Sequence, residues 1–271
     1  MEIIKSDGRR VAFRKSKIAS SIVRAGGSRE FAREVAGRVS RKVHSGATTE
    51  KILDLTLKNL KGKKAVAARY NLKKAIMELG PSGFTFEEYV SQVLQAYGYE
   101  TITSAHIRGK VILQEIDVIA RKSGKTSMIE AKYHNSRGIR TNTKVAMYTH
   151  ARFLDVVSNK KNSFDDAWLV TNTALTHSAR DYSRGVKLRV ISWDYSSVGK
   201  TLREMIEAEK LYPITIFTCV SKKVREKLFH AKVVLAKDLV EKDIEEIHRK
   251  TGVDRKYIGA VLNEIKGICN V

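Results

Sequence analysis

Apolar residues recur along the chain with helical and strand-like periods, and the changes of period divide it into parts. In residues 1–82, two short alternating segments surround the turn Ser6–Arg9, and four stretches with helical spacing follow. This pattern predicts a β-hairpin and a four-helix set. We expect Ser16 to cap the first helix and the fourth helix to run from about Lys64 to Leu79.

Residues 83–211 follow a different order. Thr85 has a capping side chain and precedes an amphipathic stretch that Gly98 ends. Three strand-like segments come next, and two further helices then alternate with two further strands. The order αβββαβαβ predicts an α/β sandwich around a mixed central sheet.

Residues 212–271 have only helical spacing, which predicts a small all-α domain. The predicted helices are Lys222–Phe229, Lys237–Lys250 and Arg255–Ile268. They resemble helix-hairpin-helix modules, which grip the DNA backbone. Val233 and Val234 stand where that family has a glycine in the first hairpin, and a dimerisation or packing domain is an equal alternative.

Helix breakers set the limits of the three parts. Pro81 lies in the glycine-containing segment 80–83, and Pro213 follows a charged helical stretch. The predicted fold class is therefore multidomain α/β, with a small α+β module at 1–82, an α/β core at 83–211 and a helical domain at 212–271.

The composition narrows the class of partner. The 271 residues include 51 Lys and Arg against 29 Asp and Glu, a formal net charge of +22, of which the first 83 residues contribute +13. Such a charge favours a polyanionic partner, most often nucleic acid. Two cysteines 50 positions apart exclude a disulfide scaffold. No apolar run reaches the ~18 residues that span a bilayer, so we expect a cytoplasmic protein without membrane contact.

Candidate chemistry concentrates on two neighbouring predicted strands. Asp117 lies within the apolar run 114–120, and Glu130 and Lys132 are two residues apart, so their side chains project from one face of a strand. Two carboxylates and an amine could therefore converge. Carboxylate oxygens are ligands that Mg²⁺ prefers, and the bound ion can activate water and polarise a phosphate. An exposed strand pair with surface charges is the alternative.

A Glu-x-Lys triplet alone says little, because Glu264-Ile265-Lys266 is another within a predicted helix. With its apolar flanks, its turn and the upstream Asp117, however, the segment 84–195 resembles the PD-(D/E)xK nuclease core of Mrr-type restriction endonucleases. The resemblance implies a Mg²⁺- or Mn²⁺-dependent DNA endonuclease whose site includes Asp117, Glu130 and Lys132.

The same resemblance implies a helix carboxylate, which falls on Glu87. Glu88 is about 100° around the helix and fits less well. Alternation places Glu115 on the same strand face as Asp117, as a further metal ligand or proton carrier.

The segment after the site is polar and basic as it enters a predicted helix. His134, Arg140 and Lys144 are candidate nucleic-acid contacts, together with Arg137. Tyr148 and Arg152 continue one helix face from Lys144 in steps of four, which suits either DNA contact or a solvated amphipathic helix.

The N-terminal part resembles the ATP-cone, the nucleotide-binding module of ribonucleotide reductases and their repressors. Matching segments are Ile4–Phe13, Lys17-Ile18, Thr49–Ile52 and Ala67–Tyr70. The resemblance implies that Lys5, Arg9 and Lys17 contact ATP or dATP. Ser16 stands where the family usually has an acidic residue, and a basic face that touches DNA without binding nucleotide is the alternative.

These features favour a metal-dependent DNA endonuclease with a nucleotide-binding module. A non-catalytic, nucleotide-sensing DNA-binding regulator is the alternative from another class. The sequence leaves open DNA versus RNA, whether nucleotide activates or inhibits, and whether the chain forms a homodimer.

Overall fold

The computed structural model describes residues 1–80, 84–136, 138–217 and 219–269. Residues 81–83 of the predicted interdomain turn lie outside this part, as does Arg137. Within it are thirteen α-helices and seven β-strands. The strands are β1 (Glu2–Ile4), β2 (Arg10–Ala12), β3 (Glu100–Arg108), β4 (Leu113–Lys122), β5 (Lys125–Lys132), β6 (Asp166–Thr171) and β7 (Arg189–Ile191). The helices are α1 (Lys15–Arg24), α2 (Arg29–Ser40), α3 (Thr49–Asn59), α4 (Lys64–Tyr70), α5 (Leu72–Met77), α6 (Phe84–Ala96), α7 (Thr143–Ser158), α8 (His177–Gly185), α9 (Leu202–Ala208), α10 (Lys222–His230), α11 (Ala236–Glu241), α12 (Ile244–Thr251) and α13 (Arg255–Cys269).

The N-terminal module is a two-stranded hairpin on a set of helices. Strands β1 and β2 pair antiparallel, and α1 to α4 pack beneath them around an apolar core of their own. The side chains of Ser28 and Thr48 cap α2 and α3 by accepting backbone N–H bonds. The expected cap at Ser16 is wrong, because α1 already starts at Lys15 and has Arg14 at the cap position.

The middle unit has the predicted order αβββαβαβ and is an α/β sandwich. Its sheet runs β3-β4-β5-β6-β7, antiparallel across the first three strands and parallel across the last three. Separate apolar cores lie on its two faces, one with α6 and the other with α7 and α8. Gly98 follows α6 with a φ of 80°, a left-handed conformation that favours glycine. Helix α6 already includes Phe84, so Thr85 lies inside it and is not its cap.

The C-terminal unit is helical, as predicted, but it shares its core with the rest of the chain. The core that begins at Leu72 in α5 continues through α6 and one face of the sheet to Ile265 in α13. Two predicted helices are each divided in two: 64–79 breaks at Asn71, and 237–250 breaks at Lys242 and Asp243. In the described residues, none of the helices is long and apolar enough to cross a membrane.

Candidate active site

Asp117 lies in β4 at a break in the regular residue pairing with the neighbouring strands β3 and β5. Thr103 pairs with Val118 and Ala105 with Ile116, whereas Ser104 between them has a left-handed φ of 53°. On the other side, the Oδ2 atom of Asp117 accepts a hydrogen bond of 2.7 Å from the backbone N–H of Ala131 in β5. The side chain of Asp117 therefore crosses to β5 beside Glu130.

Strand β5 presents its polar residues to one face, as the spacing predicts. Ile129 and Ala131 are buried in the core that contains α6, whereas Glu130 and Lys132 alternate with them and are only partly buried. Lys132 lies close enough to Asp117 and Glu130 for its charge to oppose the rise that burial causes in the pKa of both. The structure thus brings Asp117, Glu130 and Lys132 together.

The carboxylates of this group are held in an environment that disfavours their charge. Burial, followed by the charge of Asp117, raises the pKa of Glu130 to about 7. Burial also raises the pKa of Asp117, although the N–H of Ala131 and the charge of Arg152 oppose it. Excess negative charge in a partly buried site favours a cation.

Helix α6 adds Glu87 to this group and turns Glu88 away from it. Burial and then the charges of Asp117, Glu115 and Glu130 raise the pKa of Glu87 to about 7, so Glu87 faces the site. Glu88 lies 3.5 Å from the Nζ atom of Lys232 in the C-terminal unit.

Arg152 is the member of the site that the sequence did not indicate as such. The spacing predicts an outward position for Arg152, in contact with either DNA or solvent, but its side chain is only 10% exposed and forms an ion pair with Glu130. Its Nε atom also donates a hydrogen bond of 3.2 Å to the side-chain oxygen of Gln114. Arg152 lies with Thr149 and Val156 on the buried stripe of α7, a placement that the packing of the helix on the sheet reveals.

The β3–β4 hairpin is fixed to the same helix. Asp155 of α7 accepts hydrogen bonds of 2.7 Å from the backbone of Val111 and 2.8 Å from the side chain of Gln114. Contacts therefore run from the hairpin tip through Gln114 and Arg152 to Glu130. The tip residues Val111, Ile112 and Leu113 are each more than half exposed beside this path.

The proposed nucleic-acid contacts after β5 fall into two kinds. His134 points inward: its Nε2 atom is 3.0 Å from the hydroxyl of Thr141, and the amide of Asn172 bonds both backbone groups of His134. Burial and then the charge of Lys132 lower the pKa of His134, which makes it a poor cation. Arg140 and Lys144 are exposed and remain available to phosphates.

The residues predicted to contact nucleotide lie at the hairpin and at the start of α1. The Nε and Nη2 atoms of Arg9 both donate hydrogen bonds to the Oδ2 atom of Asp7, at 2.9 and 2.6 Å. These bonds lower the pKa of Asp7 to about 2. The backbone N–H of Lys5 donates to the carbonyl of Arg9 across the turn, and Lys17 is exposed on α1.

The donor set fits a hard divalent cation by its chemistry. After burial, the charges of Asp117, Glu115 and Glu130 raise the pKa of Glu87, and the charge of Asp117 raises that of Glu130; carboxylate oxygens of this kind suit Mg²⁺ or Mn²⁺. Over the ranges that the structure describes, no three His, Cys, Asp or Glu side chains are close enough to hold a metal ion together. Glu130 instead faces Arg152, which supplies positive charge at that carboxylate.

The raised pKa of Glu87 predicts a pH dependence of stability. Glu87 keeps its proton in the folded chain up to about pH 7 but loses it near the ordinary value of 4.5 when unfolded, so the folded state loses stability as the pH rises through this window. Glu87→Gln cannot lose a proton. We therefore expect its free energy of unfolding to gain about 1–2 kcal/mol relative to the parent between pH 5 and pH 8, allowing for the partial exposure of Glu87.

Urea unfolding in EDTA measures this difference. Glu88→Gln is the matched control and should show no such gain, because Glu88 faces Lys232 and not the other carboxylates. A stability difference between Glu87→Gln and the parent that is constant from pH 5 to pH 8 would contradict the assigned environment.

Comparisons with known proteins follow the same division of the chain. Residues 1–76 match the ATP cone domain, residues 80–206 a restriction endonuclease domain, and residues 212–269 the AF1548-like C-terminal domain. The resemblances to the ATP-cone and to restriction endonucleases are thereby confirmed, whereas the resemblance of the C-terminal part to helix-hairpin-helix modules stays a prediction. A restriction endonuclease domain indicates nuclease activity in general, and an ATP cone indicates nucleotide binding.

Two relatives extend the comparison. The chain is 35% identical to an uncharacterized protein of Archaeoglobus fulgidus over 179 residues, which are 66% of this chain and 99% of that protein. It also resembles the crystal structure of AF1548, a protein of unknown function, with a TM-score of 0.62 and 34% identity over 70% of this chain and 99% of that one.

Proposed function

The chain belongs to the AF1548-like family and carries a restriction endonuclease domain and an ATP cone; on this basis we propose that it is a divalent-metal-dependent DNA endonuclease regulated by nucleotide. The observation that carries the proposal is the convergence of Asp117, Glu130 and Lys132 at the paired strands β4 and β5. A protein that only binds DNA gains nothing from buried carboxylates beside a phosphate, since they repel it.

Asp117 and Glu130 would hold Mg²⁺ or Mn²⁺, with Glu87 or Glu115 completing the set. When bound there, such an ion would supply Lewis-acid chemistry, polarising the scissile phosphate and making water a better nucleophile. The carboxylates are arranged for this in one respect already: the N–H of Ala131 fixes one oxygen of Asp117, so that its other oxygen is the one available.

Lys132 and Arg152 have separate tasks in this proposal. Lys132 shares the strand face of Glu130, where its ammonium can orient the attacking water and offset charge that develops on the phosphate. Arg152 forms an ion pair with Glu130 and also donates a hydrogen bond to the side chain of Gln114, so it links the two. Arg152 is therefore a positioning residue.

The charge of the chain predicts the salt dependence of DNA binding. With a net charge of +22 and exposed cations such as Arg140 and Lys144 in the segment that follows β5, phosphate neutralisation should supply most of the affinity. The logarithm of the binding constant for duplex DNA should fall linearly with the logarithm of salt, with a slope near 0.9 per phosphate contacted. Fluorescence anisotropy at increasing KCl in EDTA measures this slope, and a slope near zero would exclude DNA as the main partner.

The substrate class is tested with end-labelled oligonucleotides of one sequence as duplex DNA, single-stranded DNA and RNA. In Mg²⁺ we expect internal cuts in DNA. Cuts in RNA alone would contradict a DNA substrate and make RNA the substrate. Binding of DNA without any cleavage in Mg²⁺ or Mn²⁺ would favour the nucleotide-sensing regulator.

Nucleotide regulation rests on the ATP cone at 1–76. We propose ATP or dATP as the effector and Lys5, Arg9 and Lys17 as its contacts at the hairpin. The pairing of Arg9 with Asp7 leaves Lys5 and Lys17 as the cations of this set that are not bound to a carboxylate in the described residues.

A further inference from the structure

A cleft lies between the cone and the nuclease-like unit. It consists of two adjacent cavities of about 290 and 210 Å³ that share Thr49, Leu53, Tyr70 and Lys73. The larger cavity is lined from the cone by residues of α1 and α4, and from the other unit by Trp193 and by Arg203 and Glu207 of α9. The smaller cavity reaches Ser6, Asn71 and Gly138. Lys5, Arg9 and Lys17 line neither cavity.

The larger cavity has more positive than negative side chains. Its lining includes one carboxylate, that of Glu207, and four cationic side chains, those of Arg24, Arg69, Lys73 and Arg203. Burial raises the pKa of Glu207, while Arg203 and Arg24 lower it, so guanidinium groups from both units lie near the same point. Excess positive charge in a cleft attracts an anion.

The hydrogen bonds of these arginines leave donors available. Arg24 donates a hydrogen bond of 2.9 Å to the hydroxyl of Ser21, and Arg69 donates one of 3.3 Å to the carbonyl of Ala65. In the described part of the chain, neither arginine has a carboxylate partner. The Nε atom of Arg203 is buried without a hydrogen-bond partner and stands 3.7 Å from Glu207. Guanidinium groups in this condition suit the oxygens of a phosphate.

The smaller cavity offers a different partner. The side-chain oxygen of Asn71 is buried there and accepts no hydrogen bond. Buried polar atoms are nearly always paired, so this amide is available to a ligand with a donor group, such as the amino edge of a base. Leu53 and the ring of Tyr70, shared by both cavities, provide apolar surface between the two polar ends.

We propose that this cleft binds a nucleotide between the two units, with its phosphates at Arg24, Arg69 and Arg203 and its base toward Asn71. The inference rests on nucleotide binding as proposed above, but it assigns the phosphates to the arginines of the cleft in place of the hairpin cations Lys5, Arg9 and Lys17, and it places a ligand-binding residue, Arg203, outside the cone. The nuclease-like unit then contributes directly to recognition of the effector.

The position of the cleft also explains how a ligand there could act on the nuclease site. Gly138 lies six residues after Lys132 and has a left-handed φ of 85°. A Cβ atom at this position would collide with the carbonyl of Ser6 and approach the N atom of Asp7 to 2.9 Å, so the cone hairpin rests directly on the loop after β5. A ligand that fills the smaller cavity touches both sides of this contact.

The test measures ATP and inorganic tripolyphosphate binding to the full-length protein by calorimetry. Arg24→Ala and Arg203→Ala should each weaken ATP binding about tenfold or more, because each removes charge-assisted hydrogen bonds to phosphate. Arg184→Ala, which removes the same charge from an exposed site of the nuclease-like unit, should bind like the parent. Tripolyphosphate should be weakened by the same two substitutions, while Asn71→Ala should weaken ATP alone.

The tryptophan fluorescence of the parent protein gives a second readout. Trp193 lines the larger cavity with Lys73 5.6 Å from its ring centre, so ATP should change its fluorescence, and Trp193→Phe should lose that change. ATP binding that depends on Lys5 and Lys17 but not on Arg24 or Arg203 would overturn this inference and leave nucleotide binding intact. No binding of ATP or tripolyphosphate to the parent would overturn both, and neither result bears on cleavage by Asp117 and Lys132.

Discussion

Asp117→Asn and Lys132→Ala should each reduce Mg²⁺-dependent DNA cleavage by about a thousandfold or more while DNA affinity changes by no more than a few fold. Asp117 would lose a charged ligand and Lys132 the ammonium that assists the reaction, and such groups contribute factors of roughly 10²–10⁴ each. Affinity comes mainly from cations elsewhere on the surface. Single-turnover cleavage and anisotropy on one labelled duplex measure both quantities.

The chain supplies its own control for this experiment. Glu264-Ile265-Lys266 repeats the Glu-x-Lys spacing in α13, where Lys266 is exposed, so Lys266→Ala should cleave like the parent. Equal cleavage by Lys132→Ala and the parent would show that the site lies elsewhere. A parallel loss of affinity and cleavage would make Lys132 a binding residue.

Arg152→Met should lower the free energy of unfolding by about 3 kcal/mol at pH 8. It removes one partner of a pair whose side chains are only 10% and 13% exposed, and an unpaired buried carboxylate is costly. The cost should be smaller at pH 5, because Glu130, with a pKa of about 7, is then protonated and neutral in the parent. Urea unfolding in EDTA at both pH values measures it.

The double variant Glu130→Gln/Arg152→Met separates the pair from simple packing. If the cost comes from the unpaired charge, the double variant should recover most of the lost stability at pH 8. A double variant whose losses merely add would mean that Arg152 and Glu130 are not coupled. Restoration of stability without cleavage is the expected combination, since Gln at 130 would be a poorer metal ligand.

Much of the fold could be predicted because local rules determine it. Strict alternation in β5 and the turn before it set the face of Glu130 and Lys132, and Gly98 marked the end of α6. The breaks at Asn71 and at Lys242 and Asp243 carry neither glycine nor proline, so spacing alone joined the helices on either side. Tertiary packing decided these breaks.

The site was harder to predict where a contact depends on what covers a surface. Steps of four placed Arg152 on a face with Lys144, but only the packing of α7 on the sheet shows that Arg152 is buried against Glu130. The left-handed Ser104 likewise has no signal in its own residue type, although it stands opposite Asp117. The cleft beside Arg203 depends on how two units pack, which no pattern within either unit reveals.

Nicking of supercoiled plasmid by the purified parent protein tests whether Asp117 belongs to a metal-dependent endonuclease site. We expect open circles in Mg²⁺ or Mn²⁺, none in EDTA, and none from Asp117→Asn prepared in the same way. Intact plasmid after incubation of the folded parent with either ion, or equal nicking by Asp117→Asn, would contradict it.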